Sequence, residues 1–164
     1  LASPYSVPAQ VTIPGGSNEG VLTISITDND DLGFVPQDLL ISFAGQDGVS
    51  NGEGLSISVA EECPGSIVTF NLNLDTWPDE TSWEVFDLTG APTVIFSGGP
   101  YVNPDDDFAE LSFDFCLTPG NYGVVVYDSY GDGGPSYSVT SATGTLVSET
   151  TVGGAQSSST FTVN

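Results

Sequence analysis

Hydrophobic residues recur at every second position along most of this chain, and no stretch shows the three- and four-residue spacing of a helix. Leu22, Ile24 and Ile26 face one way, with Thr23, Ser25 and Thr27 opposite. Leu39, Ile41 and Phe43 repeat the pattern, as do Leu55, Ile57 and Val59. Further runs are Val68-Phe70-Leu72-Leu74, Trp83-Val85, Val94-Phe96, Leu111-Phe113-Phe115 and Tyr122-Val124-Val126. Tyr137 with Val139, then Leu146, then Phe161 with Val163 complete the series. Turn-forming clusters separate the runs, among them Pro14-Gly15-Gly16-Ser17-Asn18 and Gly131-Asp132-Gly133-Gly134-Pro135. The pattern predicts about ten or eleven strands and an all-β fold made of β-sandwich units.

A boundary is expected near residue 60. Gln46 to Gly54 reads as a polar loop, Leu55 to Val59 as a short strand, and Ala60-Glu61-Glu62 precedes the first cysteine. Residues 61–164 hold both cysteines and both tryptophans and are long enough for one sandwich. Residues 1–60 offer only about four strands, fewer than a sandwich normally needs, so the first unit is expected to be partial.

Charge narrows the chemistry. The chain has 22 Asp and Glu and no Lys, Arg or His, for a formal charge of −22. Without cations it cannot hold phosphates by charge, which argues against nucleic-acid binding. Without histidine there is no Ser-His-Asp or Cys-His pair and no imidazole metal site. A paired-carboxylate glycosidase needs only Asp and Glu, yet no spacing argues for one, and no enzyme is expected. What remains is oxygen chemistry, the ligand set of hard cations such as calcium. An acidic, Gly-, Ser- and Pro-rich chain can be disordered, but 38% hydrophobic and 10% aromatic residues in alternating runs argue for folding.

A surface of one sign repels itself unless salt or divalent ions intervene, which suits an extracellular setting. No apolar run approaches the roughly 20 residues of a membrane-spanning helix, so membrane insertion is not expected. With no Met in the chain, Leu1 reads as a cut end, and an export signal is expected upstream. Cys63 and Cys116 fit a single disulfide formed in an oxidising compartment; two buried thiols are the alternative.

Residues 61–164 resemble a CUB-like module of secreted proteins from marine bacteria, Bacteroidetes and microalgae. The resemblance rests on Pro78-Asp79-Glu80-Thr81-Ser82-Trp83-Glu84-Val85, on Cys116-Leu117-Thr118-Pro119-Gly120-Asn121-Tyr122, and above all on Asp128-Ser129-Tyr130-Gly131-Asp132-Gly133. It implies a secreted jelly-roll sandwich used as an accessory module rather than a catalyst. Gly133 and Gly134 stand where the family often carries cysteines after the acidic loop. Residues 1–60 resemble the second half of a Calx-β domain through Tyr5-Ser6-Val7-Pro8, Val11 to Ser17 and Leu22 to Asp30. Gln37-Asp38 replaces that family's Asp-Glu, and its opening strands would precede Leu1.

Asp128-x-Tyr130-x-Asp132-Gly133 offers two carboxylates and main-chain carbonyls around glycines that permit a tight wrap. The bland reading is an Asp-Gly turn capping a hairpin. The family resemblance favours calcium, with Glu80 as the third carboxylate and Asp79 as runner-up. Asp28 and Asp30 form a second candidate metal site, equally readable as a solvated turn. Asp105-Asp106-Asp107 reads as a charge run on a loop, and Glu61-Glu62 as residues beside the first cysteine. Trp77, Trp83, Tyr101, Tyr127, Tyr130 and Tyr137 include candidate sugar-stacking rings; most are expected in the core, with Tyr130 the exposed one.

The expected role is an extracellular structural or adhesive surface protein, or a filament subunit, stabilised by calcium. Its expected partners are other copies of itself, or the rest of a longer surface polypeptide, joined by strand addition, with glycans as further ligands. The alternative is a carbohydrate- or protein-binding accessory module of a secreted enzyme.

Overall fold

A computed structural model describes residues 4–27, 32–44 and 52–164. Its regular structure is almost entirely β, with twelve strands and one three-residue 3-10 turn among the described residues. The chain divides into two compact units, Leu1–Glu62 and Cys63–Asn164.

The first unit holds two two-stranded antiparallel ribbons. β1 (Tyr5–Ser6) pairs with β2 (Ser25–Ile26), and β3 (Gln37–Ile41) pairs with β4 (Leu55–Val59). The expected strand from Leu22 to Thr27 is therefore cut to two residues. Its alternation survives as burial: Leu22 and Ile24 are half-buried while Val21, Thr23 and Ser25 are exposed. Among the described residues, Ser25 and Ile26 are the part of this stretch with a ladder partner, Ser6 and Tyr5, and backbone without such pairing does not extend the strand.

The second unit is a sandwich of two four-stranded antiparallel sheets. Its strands are β5 (Ser66–Asn73), β6 (Thr81–Asp87), β7 (Thr93–Gly98), β8 (Glu110–Leu117), β9 (Gly120–Asp128), β10 (Ser136–Ser141), β11 (Gly144–Thr151) and β12 (Gln156–Val163). The sheet orders are β11-β10-β5-β8 and β12-β9-β6-β7, so the chain passes repeatedly from one sheet to the other. Period-two side chains explain the core: Val68, Phe70 and Leu72 of β5, Trp83 and Val85 of β6, and Tyr122, Val124 and Val126 of β9 are all buried. Rings dominate its centre. Trp83 lies 5.0 Å from Phe70 and 4.9 Å from Phe113, centroid to centroid, and its indole N–H donates to the Tyr101 hydroxyl at 2.7 Å.

Two features join the sheets or their flanks. The Tyr137 hydroxyl on β10 hydrogen-bonds with the Ser159 hydroxyl on β12 at 2.9 Å, crossing from one sheet to the other. The Cys63–Cys116 disulfide, with Cα atoms 5.5 Å apart, ties the segment before β5 to β8.

Edge strand β7 departs from the expected alternation. The register steps from Val85↔Phe96 to Phe86↔Val94, leaving Ile95 as the extra residue of a bulge. Val94 is consequently exposed rather than paired with Phe96 on the inner face.

Candidate metal centre

The register between β6 and β9 sets the geometry. Thr81, the first residue of β6, lies opposite Asp128, the last of β9. Just before Thr81, Pro78–Glu80 forms the 3-10 turn, closed by the Thr81 N–H donating to the Pro78 carbonyl. Glu80 therefore sits beside Asp128, and the Ser129 N–H donates to the Glu80 carbonyl at 2.9 Å. Proline at the head of the turn fixes its φ and removes a donor the turn would leave unpaired.

After Asp128 the chain wraps back on itself. The Asp128 side chain, only 3% exposed, organises that wrap. Its Oδ1 accepts from the Tyr130 N–H at 2.9 Å and the Gly131 N–H at 3.0 Å, while its Oδ2 accepts from the Gly133 N–H. Gly133 has φ +83°, and a Cβ there would strike the Val152 carbonyl, so glycine is required. The Asp128 N–H donates to the Ala155 carbonyl at 3.0 Å, and the Gly134 N–H to the Val152 carbonyl at 3.0 Å, which fastens the wrap to the β11–β12 connection.

This brings Glu80, Asp128 and Asp132 together, with one carboxylate oxygen of each within 4.8 Å of the others. Glu80 is half-buried, Asp128 buried and Asp132 exposed. No Lys, Arg or His side chain exists in the chain to offset them. Partial burial first, then the carboxylates of Asp128, Asp132, Asp79 and Asp75, hold Glu80 above the ordinary carboxylate range. A carboxylate has about four lone-pair directions; three backbone N–H groups occupy Asp128, leaving one for a cation. Three carboxylate oxygens, with main-chain carbonyls and water filling the rest of the shell, suit a hard divalent ion.

The other expected site residues fall as follows. Asp79 is exposed on the 3-10 turn, outside the converging group, and acts on Glu80 through its charge. Tyr130 lies on the wrap with its ring 76% exposed. Asp28 and Asp30 lie outside the described residues. In the Asp105–Asp107 run, Asp106 serves its own loop by accepting from the Val102 N–H at 2.8 Å. The Glu61 N–H donates to the Gly33 carbonyl at 3.0 Å.

Trp83 and Tyr137 are core residues, but Trp77 is 55% exposed. It precedes Pro78 and lies outside any alternating run, a signal visible in the sequence. Asp75, whose Oδ1 accepts from the Trp77 N–H at 2.9 Å, is a neighbour of Gly134 that local sequence gave no reason to single out.

A scan against family models, a search of curated proteins and a search of solved structures each find no match.

Proposed function

We propose that the second unit is an extracellular β-sandwich module that takes one calcium ion at Glu80, Asp128 and Asp132 and serves a structural or adhesive role. The observation that carries this reading is the convergence of three carboxylates, from the Pro78–Glu80 turn, the end of β9 and the wrap after it, with Asp128 buried and pre-organised by three backbone donors. A divalent ion relieves their mutual repulsion and locks the wrap to the Pro78–Glu80 turn. The disulfide suits an oxidising compartment, and no helix among the described residues is long and apolar enough to cross a membrane. Calcium at a hundred times its Kd stabilises the native state by about 2.7 kcal/mol, so chelation lowers the melting temperature. Asp132→Asn is expected to abolish that response. An identical melting curve with and without chelator counts against the site.

A second observation bears on partners. Among the described residues of the first unit, Leu32 is the single buried hydrophobic side chain, while Val21, Val35, Leu40 and Leu55 are exposed. Isolated two-stranded ribbons are marginal in water. We infer that another copy of the chain adds a strand to them, which in head-to-tail form does not close and yields a filament. With −22 on every copy, such assembly requires salt or divalent ions. Sedimentation at several concentrations, with and without calcium, tests this: growth with concentration supports it. A compact monomer whose first unit is protected from hydrogen exchange contradicts it.

A further inference from the structure

On the outer face of the β12-β9-β6-β7 sheet lies a shallow, mostly polar concavity of about 420 Å³, lined by Ser82, Trp83, Glu84, Ser97, Gly98, Gly99 and Tyr127. Period-two alternation builds it. Trp83 and Val85 turn into the core, so Ser82 and Glu84 turn outward, and the register sets Ser82 opposite Tyr127 and Glu84 opposite Ser97. The Tyr127 hydroxyl donates to Glu84 Oε2 at 2.8 Å, which fixes both side chains and leaves Glu84 Oε1 as an acceptor. Among the described residues the hydroxyls of Ser82 and Ser97 have no protein partner.

We propose that this concavity is a subsite for a neutral sugar unit of an uncharged glycan. Each group present matches that chemistry. A fixed carboxylate oxygen and two uncommitted hydroxyls receive and donate hydrogen bonds to ring hydroxyls. The half-exposed Tyr127 ring offers an apolar face to the C–H side of a pyranose.

Charge selects against the alternatives. In a chain at −22 with no cation, a uronate, sulfate or phosphate meets repulsion and no counter-charge. The site also extends across the sheet, since Tyr127 lies opposite Gln156 on β12. With strands about 4.8 Å apart, a glycan crossing from Ser97 through Glu84 and Tyr127 to Gln156 meets a polar side chain at each strand. The lining contains none of Glu80, Asp128 and Asp132, and the Ser82–Tyr127 pair faces outward one rung from the buried Thr81–Asp128 pair, so sugar binding is expected in calcium and in chelator alike.

The test is an NMR titration of the ¹⁵N-labelled whole chain with cellohexaose, mannohexaose and xylohexaose, in calcium and again in chelator, with polygalacturonate as the anionic comparator. At least one neutral hexasaccharide is expected to shift the amides of Ser82, Glu84, Ser97 and Tyr127 in both conditions, and polygalacturonate to leave them unmoved. Tyr127→Ala and Glu84→Ala are expected to weaken that binding at least about tenfold, and Asp132→Asn to leave it unchanged. Thermal melts show whether each variant is folded, and the wild-type shift map decides the matter if one is not. Absence of shifts with all three sugars, shifts confined to another surface, preference for polygalacturonate, or unweakened binding by the folded variants would overturn the proposal.

Discussion

Replacing Asp128 by Ala in the calcium-free chain isolates what that side chain does for the fold itself. The carboxylate accepts from the backbone N–H groups of Tyr130, Gly131 and Gly133, and it is 3% exposed. Each donor left without an acceptor costs about 1–3 kcal/mol where water cannot reach it. Tyr130 and Gly131 are exposed enough for water to replace part of the loss, and removing one charge eases the repulsion on Glu80. The net expected loss is about 3–5 kcal/mol, equivalent to about 15–30 °C in melting temperature for a domain of this size. Asp128→Asn keeps one acceptor oxygen for the Oδ1 donors but turns an NH₂ toward the Gly133 N–H, so its expected loss is about 1–3 kcal/mol.

Exposed Asp132 replaced by Ala serves as the control and is expected within about 0.5 kcal/mol of wild type in chelator. Urea unfolding followed by tryptophan fluorescence is the assay, because Trp77 and Trp83 both lie in the second unit and report it alone. If Asp128→Ala unfolds at the wild-type urea midpoint, the carboxylate does not organise the wrap and the account of the loop is wrong.

Other expectations follow from the same structure. Cys63→Ser with Cys116→Ser opens a cross-link spanning 53 residues and is expected to cost about 4 kcal/mol in the chain-entropy view, read from the same urea midpoint. The pH dependence has two opposed parts. Glu80 is held above its ordinary value of 4.5, so its contribution to the calcium-free fold is whole below that pH and is lost as pH rises through the folded pKa; Glu80→Gln in chelator is expected to remove this slope. Asp87 is held low by the Thr89 hydroxyl and then the Thr89 amide, so its contribution is present above 3.8 and fades as pH falls through the folded pKa; Asp87→Asn is expected to flatten that acid limb. With no Lys or Arg, even the urea-unfolded chain is expected to survive trypsin intact by mass spectrometry, while a Glu- or Asp-directed protease cuts it.

The strands of the second unit were legible because a sheet buried on one face writes a period of two directly into the sequence. Val68-Phe70-Leu72 and Tyr122-Val124-Val126 are plain cases. The β7 bulge was not legible, because one extra residue in an edge strand leaves no local mark on the apolar pattern. In the first unit, alternation at Leu22 and Ile24 promised a longer strand than the pairing allows; strand length depends on a partner elsewhere in the chain.

The candidate metal group was half legible. Asp128 and Asp132 share one loop and stand out in any reading, whereas Glu80 joins them through the Thr81↔Asp128 register, a long-range pairing that resemblance suggested and spacing could not supply. The role of Asp128 as acceptor for three backbone donors, and the outward-facing Glu84 with Tyr127, depend on loop closure and cross-strand pairing, which composition and spacing do not encode.

Glu80, Asp128 and Asp132 are proposed to hold one calcium ion. A crystal of the chain soaked in calcium and measured for anomalous scattering tests it most directly. One peak is expected with oxygens of all three carboxylates at about 2.3–2.6 Å, and it is expected to disappear in Asp132→Asn. No peak at that position under saturating calcium, or a peak touching none of the three side chains, would contradict it.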